Sequence, residues 1–253
     1  MRPRALSAFA RGLVLATLLA TGFLPLIVLA QEATPAGEPM RSPTREEAWQ
    51  EALASFPMES PQHEGGQVIY AIPADVTSLN GHLGWDVYSN VVSRRVYETL
   101  ITVSPMEGQP LPQLADSWEI APDGLTYTFH LNKDARWHNG VDFTAADVVF
   151  SLVAALDPDI GFADTASALA SYRAIDDDTV EMVSKGKQAG FLWDVGYWHA
   201  IVPKHIWEGV PFDQWASDPG STGEDLSRVV GTGPFKLMEW VPGDHATLVR
   251  NDD

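Results

Sequence analysis

Apolar and polar residues alternate from Thr126 to Leu131, with Tyr127, Phe129 and Leu131 on one side and Thr126, Thr128 and His130 on the other. A period of two is that of a strand with one buried face. Trp118-Glu119-Ile120 precedes it, and Pro122-Asp123-Gly124 lies between. Proline presets a turn and glycine accepts positive φ, so the two runs are expected to form a hairpin. Asn139-Gly140 marks a second turn. The period then lengthens: Val148, Val149, Leu152, Val153 and Leu156 recur at helical spacing and predict a helix from Ala145 to Leu156 with those residues as its core face. Thr144 is placed to cap it, with Asp147 where a capping-box acid sits, and Asp157-Pro158 ends it.

The same patterns recur on either side. Gln67 to Ile72 follows Gly65-Gly66 and predicts a buried first strand. Pro73 to Trp85 reads as a loop. Asp86 to Leu100 predicts a helix whose apolar stripe draws on Val87, Val91, Val92, Val96 and Leu100. Tyr172–Ile175 and Thr179–Val183 form a strand pair about the acidic turn Asp176-Asp177-Asp178. Val202 to Glu208 suits a short helix with Pro203 near its start. Phe235–Trp240 and Ala246–Arg250 flank Pro242-Gly243-Asp244 as a third hairpin. The chain shows no internal repeat.

The N-terminus has a different character. Arg2, Arg4 and Arg11 precede an uncharged apolar run, Gly12 to Leu29, that ends Val28-Leu29-Ala30. Residues 1–30 are thus expected to be a signal peptide cleaved after Ala30. The run is long enough for an uncleaved membrane anchor, but Pro25 and the small residue at Ala30 favour cleavage. Residues 31–66 are rich in Pro, Glu, Ser and Gly and read as a linker with a short helix, Thr44 to Phe56, capped by Thr44 and bearing Ala48, Trp49, Leu53 and Phe56 on its apolar face.

Composition narrows the chemistry. There is no cysteine among the 253 residues. That removes disulfides, thiol catalysis, cysteine metal sites and a lipid-modified N-terminal Cys. Residues 31–253 carry 13 basic against 34 acidic side chains, a net charge of −21. Such a surface disfavours nucleic acid and anionic lipid, because phosphate contacts need clustered Lys and Arg.

No motif selects a reaction. Gly231-Thr232-Gly233-Pro234-Phe235-Lys236 lacks the third glycine of a phosphate loop, Pro234 removes an amide, and a strand follows; a tight strand-entry turn is expected. The seven histidines show no metal spacing, and His130 and His138 are expected on the surface or in hydrogen bonds. Asp157-Pro158-Asp159 resembles the start of a calcium loop without its later ligands. Nine Trp and six Tyr are many for this length. Most should pack the interior, but Trp85, Tyr197 and Trp198 adjoin glycines in loop-like stretches, where an aromatic can stack on a ligand.

Taken together, the run LPQLADSWEIAPDGLTYTFHLNKDARWHNGVDFTAADVVFSL from Leu111 to Leu152 resembles the extracellular solute-binding proteins of family 5, which serve peptide, dipeptide and nickel ABC transporters. Asp75–Asn80, Val96–Leu100, Ala174–Val180 and Gly231–Phe235 with Trp240, Gly243 and Arg250-Asn251 fall in the family's order. The resemblance covers about residues 67 to 253. It implies an α/β fold of the type II periplasmic binding protein kind, with two lobes that close on a ligand about a hinge. Lobe I would take residues 67–100 and 200–253, and lobe II residues 101–199. The family's further, C-terminal lobe is expected to be missing, since the chain stops at Asp253. The resemblance also implies a non-catalytic, monomeric, periplasmic protein that hands a peptide or other small solute to a membrane permease. No cofactor, metal or nucleic acid is implied. By position, Leu83, Gly84 and Trp85 in the first loop and Trp198 and His199 near the return to lobe I are the expected ligand contacts.

Overall fold

The alternation at Thr126–Leu131 becomes a strand whose odd-numbered side chains are buried and whose even-numbered ones are half-buried. The computed structural model describes residues 37–54, 65–84, 86–104, 108–160 and 163–252, all within one compact unit, Gly37–Asp253. The expected signal peptide and Trp85 lie outside the described residues.

In chain order the strands are β1 (Met40–Arg41), β2 (Ile101–Val103), β3 (Pro110–Pro112), β4 (Ala115–Ile120), β5 (Thr126–Leu131), β6 (Leu169–Asp176), β7 (Thr179–Ser184), β8 (Phe235–Val241) and β9 (His245–Arg250). The helices are α1 (Arg45–Ala54), α2 (Val87–Val96), α3 (Ala145–Leu156), α4 (Ala163–Ala166), α5 (Phe191–Gly196), α6 (Lys204–Trp207) and α7 (Pro219–Thr222). Five strands make an antiparallel sheet in the order β1-β4-β5-β7-β6; β2–β3 and β8–β9 are separate pairs.

The β4–β5 hairpin forms where the pattern placed it. Trp118 pairs with Phe129 and Ile120 with Tyr127. Gly124 takes φ +69°, and Asp123 Oδ1 accepts the amides of Leu125 and Thr126, which closes the turn. On β7, Val180 and Met182 face the same side as Phe129 and Tyr127. These side chains and α3 enclose one apolar cluster, and burying one such side chain contributes roughly 2–3 kcal/mol. A second cluster gathers Val76, Leu79, Val92, Val96, Tyr97, Trp207 and Trp215. Helix α3 belongs to both, giving Val148, Leu152 and Ala155 to the first and Ala154 to the second. Its core face is therefore Val148, Ser151, Leu152, Ala154 and Ala155, whereas Val153, expected inside, is exposed. The interior is reached by small residues that let α3 approach both clusters.

Asp147 does more than cap α3. Its Oδ2 accepts the Thr144 amide at 3.0 Å and the Trp137 indole N–H at 3.4 Å, and its Oδ1 accepts the Lys204 amide at 2.9 Å. One buried carboxylate thus ties the start of α3 to the start of α6, 57 residues later. Asp147→Ala would leave four donors without this acceptor, the Thr144 hydroxyl being the fourth. We expect a loss of about 3 kcal/mol, read as a lower urea midpoint with unchanged slope; a loss under about 1 kcal/mol would contradict this reading.

Three expectations change. Gln67 to Ile72 is not a strand, and Val68, Ile69 and Tyr70 are among the most exposed apolar residues. No described strand lies beside it, and no described strand covers its apolar side chains. Second, α2 stops at Val96 rather than Leu100. From Tyr97 the backbone is extended: the Leu114 and Ala115 amides donate to Thr99 and Leu100, and Ile201 to Glu98. Those pairings replace further helical turns. Third, residues 37–54 are not a free linker. β1 pairs with the edge strand β4, and α1, capped by Thr44 with Glu47, docks through the Trp49 indole N–H on the Pro112 carbonyl at 3.0 Å. Arg45 adds a hydrogen bond to the Gln113 carbonyl and an ion pair with Asp116. Leu53 stays exposed and Phe56 lies outside the described residues.

Candidate ligand-binding site

The loop before α2 is held at both ends by carboxylates. Asp86, the N-cap of α2, accepts the amides of Tyr88 and Ser89 on one oxygen and the hydroxyls of Thr77 and Ser89 on the other. Burial works to raise its pKa, but these hydrogen bonds outweigh burial and pull it down to about 2. Asp75, at the loop's start, accepts the Gly243 amide and the Trp240 indole N–H, which fastens the loop to the β8–β9 turn. Between them, Leu79 donates its amide to Ser221 and accepts the Tyr97 hydroxyl at 3.1 Å.

This anchoring sets residues 81–84 against α2 and the segment 197–200. Gly81 and Gly84 are buried in close contact with their neighbours: a Cβ at Gly81 would lie 3.2 Å from the Tyr97 ring, a tight fit, and one at Gly84 2.9 Å from the Ser78 carbonyl oxygen, where something would have to shift. Leu83 is half-buried against the second apolar cluster. A small cleft of about 10 Å³ lies beside them, lined by Gly81, Asn90, Ser93, Arg94, Tyr97, Thr99, Trp198 and Ala200. Trp198 is 44% exposed there and packs edge-on against Tyr197, with ring centroids 5.1 Å apart.

Of the residues named from the sequence, Trp198 lines this cleft, whereas Leu83 and Gly84 are not among its lining residues and Leu83 packs against the second apolar cluster. His199, next in sequence to Trp198, points to the interior instead. It is fully buried, its Nε2 lies 3.0 Å from the Thr165 hydroxyl, and its ring stacks at 6.4 Å on that of His82. Burial lowers its pKa to about 4; burial together with the neighbouring His199 lowers that of His82 to about 3. Both imidazoles are neutral at pH 7 and sit as core residues, His82 edge-on to Trp215.

The α2 contribution was missed. Asn90, Ser93, Arg94 and Tyr97 recur at spacings of three and four and so share one face of the helix. In the sequence that polar stripe is masked by the apolar residues that alternate with it.

The Gly231–Gly233 turn packs on the end of α2. The Gly233 amide donates to the Val96 carbonyl at 2.9 Å. His138 clasps the same turn: its Nδ1 accepts the Gly231 amide and its Nε2 is 2.9 Å from the Gly233 carbonyl oxygen, so the proton sits on Nε2. It is a strand-entry turn, as its residues predict.

Residues 109–253 match the model of the bacterial extracellular solute-binding proteins, family 5. The chain belongs to that family. It is 29% identical over 208 residues to the periplasmic oligopeptide-binding protein OppA of Escherichia coli K12, a match covering 70% of this chain and 34% of that one. Among solved structures it resembles the oligopeptide-binding protein AppA of Bacillus subtilis in complex with a nonapeptide, with TM-score 0.65 and 28% identity over 71% of this chain and 35% of the other. It also resembles NikZ of Campylobacter jejuni in complex with Ni(L-His), with TM-score 0.59 and 25% identity over 73% of this chain and 34% of the other. The family-5 chain thus has the mixed α/β architecture of periplasmic binding proteins and spans little more than a third of the length of the relatives it matches. Among its described residues no helix is long and apolar enough to cross a membrane, and no group of three His, Asp or Glu could hold a metal ion.

Proposed function

We propose that this family-5 chain is the solute-capturing component of an ABC importer, outside the cytoplasmic membrane, and that its solute is a peptide. The family match over residues 109–253 carries the reading. The oligopeptide-binding names of OppA and AppA support the peptide. In this role the protein is a monomer that captures its solute without catalysis and presents it to a membrane permease. Export would rest on residues 1–30. Residues 67–100 and 200–253 would form one lobe and residues 101–199 another, closing on the solute by hinge motion. Trp198 and Trp85 would stack on the peptide, Leu83 and Gly84 would shape the loop beneath it, and His199 would hold Trp198 in place from the interior.

The test is tryptophan fluorescence of the purified chain against mixed tri- to nonapeptides, with nickel–histidine, haem and an oligosaccharide panel in parallel. We expect saturable quenching by peptides that falls at least about tenfold in affinity in Trp198→Ala. A response to nickel–histidine, haem or a sugar with none to any peptide would replace the peptide by that solute.

A further inference from the structure

The chain passes between its two apolar clusters at a junction. Val96 and Tyr97 belong to the second cluster and Leu100 and Ile101 to the first; on the return, Ile201 belongs to the first and Val202 to the second. Hydrogen bonds tie these passages together. The Ile201 amide donates to the Glu98 carbonyl at 2.9 Å, and the Leu114 amide to that of Thr99 at 3.1 Å. Gln113 completes the junction, its Oε1 accepting the Thr99 hydroxyl at 2.9 Å.

Residues 37–54, which precede the part that matches the family model, seat on that junction. Arg45 donates to the Gln113 carbonyl and lies 3.7 Å from Asp116. Burial raises the pKa of Glu98, and the charge of Arg45 opposes it. The Trp49 indole N–H reaches the Pro112 carbonyl, and Arg41 stands 3.2 Å from Glu119 where β1 meets β4. Almost none of this seating is apolar. Of the ten residues of α1 only Ala48 is buried. Beneath the helix is a cavity of about 230 Å³, between Ala48, Glu51 and Ala52 above and Ser104, Leu111 and Trp118 below. Exposed ion pairs contribute little and are screened by salt. A segment with few buried apolar contacts opens locally before the rest of the fold.

We propose that residues 37–54 are a releasable brace for the junction. Seated, they hold the two clusters in the arrangement that captures solute; released, they leave the junction free to bend. Only the effect on capture rests on the solute-capture reading. Release and the loosening of the junction are properties of the chain itself.

Hydrogen exchange read residue by residue by NMR, at about 20 and about 500 mM NaCl, follows release in the full chain and in the double variant Arg45→Ala with Trp49→Phe. Arg173→Ala, which removes an ion pair at the opposite margin of the sheet, is the control. We expect the amides of α1, and the Trp118 amide that donates to Ser42, to be at least about tenfold less protected than those of β5, and less still at high salt. In the double variant these amides should lose further protection, and those of Leu114, Ala115 and Ile201 should exchange about threefold faster or more, with β5 and the control unchanged. Strap amides as protected as β5 at both salt concentrations, or unmoved by the double variant, would overturn release. A released strap with unmoved junction amides would overturn the brace. Mixed tri- to nonapeptides are titrated by calorimetry in parallel, and affinity is expected to fall about fivefold or more in the double variant and not in Arg173→Ala. Unchanged affinity would overturn the brace and leave peptide capture standing. If no peptide binds, peptide capture falls and the exchange pattern alone decides the brace.

Discussion

Gly231→Ala is expected to abolish cooperative folding or to lower stability by more than about 4 kcal/mol. A Cβ at this position would stand 1.7 Å from the Val96 carbonyl oxygen and 2.5 Å from its carbon. The obstacle is backbone at the end of α2, so no side-chain rotation can relieve it, and the turn would have to leave the helix. Leaving would also cost the Gly233 amide its bond to Val96 and His138 both of its contacts with the turn. Gly209→Ala is the control, since a Cβ there meets nothing within 4 Å. Urea unfolding followed by circular dichroism measures both. A Gly231→Ala protein within about 1 kcal/mol of the unaltered one would show that the close approach does not exist.

The second large effect is acid sensitivity well above the carboxylate range. An unfolded histidine takes up its proton near pH 6.5, whereas folded His82 and His199 resist until about 3 and about 4. Between those limits the unfolded chain binds more protons, so stability falls as the pH is lowered through 6.5 and goes on falling until the folded imidazoles titrate. By pH 5 each imidazole costs about 2 kcal/mol. Asp86 acts in the same direction but only below the ordinary carboxylate pKa, because its own is depressed to about 2. Glu98 opposes the trend: burial raises its pKa, so its proton uptake favours the folded form as the pH drops. Urea midpoints at pH 7, 6 and 5 give the slope, and His82→Asn should flatten it by about half. A midpoint constant from pH 7 to pH 5 would mean that neither imidazole is buried as described.

Local pattern was a reliable guide wherever the chain pairs with its own near neighbours. The β4–β5 hairpin, the Thr144–Asp147 capping box and the turn at Gly231 depend on residues within a few positions of each other, and their chemistry is written there. It misled where a distant segment decides. Val68-Ile69-Tyr70 has the composition of a buried strand but no described partner. The α2 period continues to Leu100 in the sequence, yet residues 98–100 are claimed by residues 113–115 and 201. At the cleft, nothing in the order Trp198-His199 says which of the two faces inward. That is settled by His82 and Thr165, 117 and 34 positions away in the chain. The polar stripe of α2 is present in the sequence, but which residues it faces is a property of three-dimensional neighbours alone.

The two margins of the main sheet are finished differently. On one side, β1 and the strap behind it cover β4, with Ser42 exchanging hydrogen bonds with both the amide and the carbonyl of Trp118. On the other, β6 is broken in register between Leu169 and Ser171 and again between Ala174 and Asp176, and it carries Arg173 paired outward with Glu181. A strand interrupted twice in register and carrying Arg173 and Asp176 is a poor template for another chain's backbone. That edge is thereby protected from pairing edge to edge with a neighbouring copy.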